Sequence, residues 1–456
     1  MNFFCALHKL LPLMAVLLAM SACGGKKEEM AGEAVVDDGV AEQAETAETG
    51  EAGMDRMARE YVQLVLELGN HDKSYVDAYY GPEEWKNKAA QSKASPANIA
   101  QRAKELMQQL PRAIPADGSL ESLRAHYLKT QLRAVIAHAE RLAGAGQRNF
   151  DREAKLLYDT RPPKQNFTEF EPVLAELDEL LPGDQPLHLR VQEFRMQFEI
   201  PTDKLEAVFG AAIDACRERT KKHIQLPANE NFVLEYVTDK PWSGYNWYQG
   251  NAQSLIQVNT ELPIMIDRAI DLGCHEGYPG HHTYNALLED ELVNRRGWVE
   301  YSVYPLFSPQ SLIAEGSANY GIELAFPGGE KIEFEKAVLY PLAGLNPADA
   351  EKYDRVLELI EKLSFAGNEI ARQYINGEID GDKVVELFQQ YSLMSPEKAR
   401  QRLRFVDAYG AYVINYNWGK QLVADYVEQG SDSADERWQR FGKLLSSPRL
   451  PSSLNW

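Results

Sequence analysis

The chain has 456 residues, 44% of them hydrophobic, and carries 68 acidic against 48 basic side chains for a net charge of -20. That imbalance argues against a nucleic-acid partner, since phosphates would be repelled. Beyond residue 23 no stretch is long and apolar enough for a membrane pass of about 18 residues or more.

In chain order, the first 22 residues read as an export signal. Lys9 supplies a positive end, and Leu10 to Met20 is an apolar run too short to span a bilayer as a stable helix. Met20-Ser21-Ala22-Cys23 resembles the bacterial lipobox, so residues 1–22 are expected to be removed and Cys23 to become a lipid-bearing N-terminus, carrying chains such as palmitate. Gly24, where an aspartate would retain the protein at the inner membrane, points to an outer-membrane anchor facing the periplasm. Residues 23–55 form an acidic stretch of Glu, Ala and Gly with almost no large apolar side chains; it cannot offset chain entropy by burial and reads as a flexible tether.

The remaining ~400 residues, 56–456, are enough for a large core with subdomains. Apolar residues recur at three- and four-residue spacing over Met57 to Leu68, Leu123 to Leu142, Lys204 to Ile224, Asp349 to Ile375 and Pro396 to Val427, which predicts helices. The last of these is expected to break at Gly410 or Gly419. Ser395-Pro396-Glu397 supplies an N-cap, a first-turn proline and an acid where the helix dipole favours one. Asn346-Pro347 repeats that logic ahead of the preceding helix, which Asn376-Gly377 ends. Phe232 to Val237 and Ser254 to Asn259 are short, β-branched and flanked by turn formers, which predicts strands. The fold class is mainly α with a small sheet. Cys216 and Cys274 remain after the signal and anchor cysteines are set aside; they could form a bridge in an oxidising compartment or stay as two buried thiols.

The chemistry is concentrated in His275-Glu276-Gly277-Tyr278-Pro279-Gly280-His281-His282, three of only nine histidines in the chain. In His-Glu-x-x-His on a helix, two imidazoles share one face and the glutamate stands beside the metal as general base. Glu276 has the right place here, but His281 would lie about 9 Å along a straight helix from His275 and His282 about 10 Å. Neither could share an ion with His275 at bonds of about 2 Å. Pro279 clashes with the carbonyl of His275 and disfavours α conformation at Tyr278, while Gly280 tolerates almost any turn. A break at Pro279-Gly280 is therefore expected to return an imidazole to the metal, with His281 the first candidate and His282 the alternative.

A third ligand is expected from a later helix. Glu315, Asn319 and Glu323 are spaced by four and share a face, with Glu315 in an apolar, small-residue run and Asn319 placed to orient a ligand. Three protein ligands and an open fourth position describe a catalytic zinc site, with zinc the expected cofactor.

The segment from His275 to His282, followed by Glu315-Gly316, resembles the bacterial family known as domain of unknown function 885, which is grouped with the gluzincin-like metallopeptidases. The likeness extends to Tyr79-Tyr80-Gly81-Pro82 and Val258-Asn259, and departs at Ser317, where the family usually has tryptophan, and at Asn285, where it often has glutamine. The resemblance implies a zincin-like metallopeptidase core enclosed by helices and leaves the expected metal ligands intact: His275, His281 (or His282 in its place) and Glu315, with Glu276 as base. It also implies a role for Tyr416, which stands three residues before Gly419 as in a Tyr-x-x-Gly of that family: a donor to the developing oxyanion, or else a packed aromatic. Ser254 to Asn259 is expected to be the sheet edge that pairs with a peptide substrate, with Asn259 contributing to binding. Arg404 could hold a substrate carboxylate or form a surface ion pair. The competing class is a non-catalytic envelope lipoprotein that uses the same cleft for peptide binding or assembly.

Overall fold

The computed structural model describes residues 51–456 except 147 and 241; the signal peptide, Cys23 and the tether up to residue 50 lie outside the described residues. Helix α1 (Glu51–Leu68) begins inside the predicted tether, so the boundary at 55 falls within a helix. It forms because Met57, Ala58, Tyr61, Val62, Val65 and Leu68 line one buried face. Strand β1 (Val76–Tyr79) follows, then α2 (Leu120–Leu142), whose N-cap Ser119 accepts from the Ser122 amide. Further along come α3 (Leu205–Lys221) and the strands β2 (Asn231–Val237), β3 (Gly244–Gly250) and β4 (Gln253–Asn259).

The sheet order is β2-β4-β3, with β2 parallel and β3 antiparallel to β4. This corrects one expectation: the 254–259 strand is central, and the edges belong to β2 and to β3, the latter missed by the sequence reading. Alternation on β4 is regular, with Ser254, Ile256 and Val258 buried against the helices.

Helix α4 (Asp267–Leu272) runs into a π-helical turn (Gly273–Gly277), and α5 (His281–Leu288) starts after a break. Strand β5 (Val303–Pro305) pairs antiparallel with β1, and α6 (Pro309–Ala325) follows. The predicted helix 349–375 is two, α7 (Ala350–Lys362) and α8 (Ser364–Ile375), bent at Leu363. Both keep the same buried periodicity, through Val356 and Leu359 and then Ala366 and Ile370, so the bend left no mark on the pattern. The predicted 396–427 helix divides into α9 (Pro396–Tyr409) and α10 (Ile414–Glu428). Gly410 makes the division at φ 60°, ψ -129°, which a side chain would disfavour.

The described residues belong to one compact unit, 49–456, and no helix among them is long and apolar enough to cross a membrane. Their apolar interior has two parts. The larger lies among α1, α2, α6, α8 and α10, and the smaller lies beneath the sheet around Phe209, Ile270, Cys274 and Tyr353. The 273–288 segment bridges them, with Cys274 and Tyr278 in the smaller core and Tyr284 and Leu287 in the larger.

Candidate metal centre

The break predicted between the histidines is present. Tyr278 is extended (φ -123°, ψ 121°), the Tyr278–Pro279 peptide is cis, and the Gly280 amide donates to the Cys274 carbonyl at 3.0 Å. A Cβ on Gly280 would overlap the carbonyl oxygens of His275 and Cys274, so this close return of the chain needs glycine. Cys274 is joined by a disulfide to Cys216 on α3, which anchors the turn to the smaller core and settles the choice left open between bridge and thiols. The outcome is that the rings of His275 and His281 lie 4.7 Å apart, nearly perpendicular.

Helix α6 brings the carboxylate. It crosses α10 at Gly316 and Gly419, where a Cβ on either would run into the other helix's backbone, and this contact sets Glu315 beside the histidines. Gly419 is thus a crossing point rather than a helix interruption. Glu315 Oε2 stands 3.4 Å from His275 Nε2 and 3.8 Å from His281 Nε2, while its Oε1 accepts from the Tyr412 hydroxyl at 2.9 Å. The Asn319 amide nitrogen donates to the Tyr416 carbonyl at 3.1 Å, which fixes the amide's orientation and turns its oxygen to His275 Nδ1, also at 3.1 Å. An amide oxygen only accepts, so Nδ1 carries the proton and Nε2 offers its lone pair toward Glu315.

This donor set fits a small divalent cation. Glu315 Oε2 is buried with no hydrogen-bond partner, and one donor atom from each of His275, His281 and Glu315 lies within 4.8 Å of the others. Atoms bound at about 2 Å around a tetrahedral ion would be about 3.3 Å apart, close to the two spacings to Glu315. Burial alone would raise the Glu315 pKa, but its interactions with His275 and His281 hold it well below the carboxylate range. Burial pulls His275 down, and Glu315 and Glu276 outweigh it to leave the imidazole above its ordinary value.

Glu276, 6% exposed, follows His275 in the π turn. Its Oε1 would lie 3.1 Å from a Cβ on Gly244, at the start of β3, and its carbonyl accepts from Asn246 on that strand at 2.7 Å. Tyr416 makes no side-chain hydrogen bond among the described residues. Burial first, then Glu315, raises its hydroxyl well above the usual range, so it remains a proton donor. Two groups were missed in sequence. Tyr412, one turn before Tyr416, holds Glu315 directly. Asp77 on β1 receives the Tyr245 hydroxyl and is pushed up to about 6, by burial first, with Glu315 and Glu276 near enough to add to the rise.

Other predicted residues lie elsewhere. His282 is fully buried with its Nδ1 2.8 Å from the Ser254 hydroxyl and its Nε2 3.3 Å from Glu230, so both ring nitrogens are engaged away from the cluster. Glu230, although burial works against its charge, is held at about 2 by His282, Tyr278, Arg217 and Lys221. This set fixes the start of α5 and therefore the residue next to His281. Asn259 is not turned to a ligand role: its amide donates to the carbonyls of Lys240 and Trp242 at 3.0 and 3.1 Å and closes the loop before β3. Arg404 is exposed and forms no ion pair among the described residues, and Glu323 pairs with Lys420.

No protein-family model matches the sequence, and no curated protein matches it. Among solved structures, the chain is similar to a candidate lipoprotein from Colwellia psychrerythraea, at 13% identity and a TM-score of 0.51 over 80% of this chain. It spans 66% of that structure's length, and at such identity the likeness is one of fold. A second structure, BsuCP, aligns with 88% of this chain and 89% of its own at 13% identity, but its TM-score of 0.43 is too low to bear on the argument.

Proposed function

We propose that the chain is an exported, lipid-anchored hydrolase of peptide bonds that depends on a divalent metal held by His275, His281 and Glu315. The observation that carries this reading is the buried, unpartnered Glu315 Oε2 facing two imidazoles, with Glu276 beside them. Nitrogen and carboxylate donors in this number suit zinc, which would supply Lewis acidity in the cleft. Glu276 accepts a proton from the attacking water and returns it to the leaving amine. Tyr416, kept protonated, donates to the carbonyl oxygen as negative charge develops. Asn319 and Tyr412 hold His275 and Glu315 in place. The outer edge of β3 makes no backbone hydrogen bond outside its own sheet among the described residues, and an extended peptide can add there.

Export is supported by the lipobox-like Met20 to Cys23 and by the Cys216–Cys274 disulfide, a bond that persists in oxidising compartments such as the periplasm. The decisive experiment measures metal content of chain purified without chelator, then cleavage of a peptide library with and without chelator. One equivalent of metal and chelator-sensitive cleavage are expected, and Glu276→Gln should keep the metal while losing about 10²–10⁴ in rate. Full activity of Glu276→Gln, or turnover indifferent to chelator, would overturn the reading. Stoichiometric metal with no turnover would instead favour a binding protein.

A further inference from the structure

In a chain with 68 acidic against 48 basic side chains, a sheltered arginine without an acidic partner stands out. Arg402 on α9 forms no ion pair and no side-chain hydrogen bond among the described residues. Its guanidinium instead lies 4.7 Å from the centre of the Phe405 ring. From there a run of aromatic rings leads to the candidate metal centre. Phe405 packs on Tyr409 at 4.6 Å and Tyr412 at 6.4 Å, Tyr412 packs on Tyr416 at 5.8 Å, and the Tyr412 hydroxyl binds Glu315. Arg402 keeps part of its surface accessible, yet burial lowers its pKa and Tyr416 is the titratable group that pulls it back. The guanidinium is therefore crowded by protein and open on one side. Lys398, one turn earlier on the same face, is likewise unpaired among the described residues, and Arg195 and Arg268 are its charged neighbours.

Taking a charge out of water without a partner is costly, and a guanidinium on a ring face with its N–H fork free is suited to a planar anion. We infer that Arg402 receives a carboxylate of the substrate, so that peptides presenting a carboxylate at this end of the cleft are the preferred class. The inference rests on the hydrolase reading for the word substrate, and it replaces the carboxylate role considered for Arg404, which lies about 200° around α9 from Arg402. The carboxylate has two possible sources, the C-terminus of the peptide or an Asp or Glu side chain.

The test is calorimetric titration of the full chain carrying Glu276→Gln, with N-acetyl-Ala-Ala-Phe, the same peptide as its C-terminal amide, and N-acetyl-Ala-Asp-Phe amide. A peptide with the recognised carboxylate, the free acid or the Asp amide, should bind about 10-fold or more tightly than the plain amide, as a charge-assisted contact predicts. Arg402→Ala should abolish the difference while leaving the amide's affinity unchanged, and Arg402→Lys should restore part of it. Tight binding of the Asp amide alone identifies a side-chain carboxylate, tight binding of the free acid alone identifies the terminus, and tight binding of both shows that either is accepted. Equal binding of all three peptides by the parent, or discrimination that survives Arg402→Ala, overturns the proposal. Carboxylate-dependent binding without cleavage by the unsubstituted chain would remove the hydrolase reading and leave Arg402 as the anchor of a peptide-binding cleft.

Discussion

Glu300 and Glu315 are both buried carboxylates on the larger core, and the difference in their partners separates a structural group from a functional one. Glu300 is fully buried, and both its oxygens are taken by Arg124, from Nε at 2.6 Å and from a terminal nitrogen at 3.1 Å. Arg124 also binds Asp55 on α1 and lies 4.7 Å from the centre of the Trp298 ring. Both carboxylate oxygens of Glu300 are used within the fold, and the pair ties α1 and α2 to the chain before β5. Glu315 has one oxygen used by Tyr412 and the other open toward two imidazoles. A satisfied buried network secures the structure, whereas a withheld partner leaves a place for something the chain does not supply.

The comparison is tested hardest at Glu300. Glu300→Ala strands Arg124 in the interior with only the partly exposed Asp55, and removal of one partner from a buried pair costs about 3–5 kcal/mol. Urea unfolding should register that loss, with metal content per folded molecule unchanged. A cost below about 1 kcal/mol would place the pair among ordinary surface contacts and break the contrast.

Glu335 supplies the intermediate case. It is buried, its Oε1 has no hydrogen-bond partner, and its nearest cation, Lys331, is 3.7 Å away. No imidazole joins it. Burial pushes its pKa up to about 7, with Lys331 opposing. A carboxyl whose folded value exceeds its unfolded 4.5 favours folding while protonated, so its contribution is complete below 4.5 and is lost as pH rises toward 7. Glu335→Gln should therefore stabilise the protein by roughly 2–3 kcal/mol at pH 8 and by little at pH 4, with no change in metal content. Stability curves of parent and variant that run parallel across that range would show that Glu335 does not titrate as described. An open oxygen without imidazoles thus marks a cost rather than a site.

What could be read from sequence was local. His275-Glu276, the Pro279-Gly280 break, and the four-residue spacing of Glu315 and Asn319 are short patterns whose geometry follows from helix dimensions and proline sterics. The choice between His281 and His282 was not local, because it depends on Ser254 and Glu230, which come from strand β4 and the turn before β2. Asp77 and Tyr412 reach the cluster from distant parts of the chain for the same reason. Strand β3 escaped because Tyr245-Asn246-Trp247-Tyr248 does not alternate polar and apolar; its inward Asn246 serves the Glu276 carbonyl. The cysteine pair could not be joined by spacing, since nothing in sequence shows that α3 packs against the π turn.

The smallest change in stability is expected where function is most exposed. In Glu315→Gln the amide oxygen can still accept from Tyr412, and the new N–H₂ can donate to an imidazole lone pair that the carboxylate only faces. In metal-free protein at pH 8 the substitution should therefore alter stability by no more than about 1 kcal/mol. The pH dependence has a definite sign. His275 has a folded pKa above its unfolded 6.5, so its attraction to the Glu315 carboxylate contributes fully below 6.5 and fades as pH rises through the folded value. The cost of Glu315→Gln should grow as pH falls from 8 toward 6.5 and level off below 6.5, read by urea unfolding in the presence of chelator. Metal binding should be lost at every pH, because an amide is a poor substitute for a charged oxygen ligand. Retention of stoichiometric metal by this variant, or a stability loss as large as that of Glu300→Ala at pH 8, would place Glu315 with the structural carboxylates.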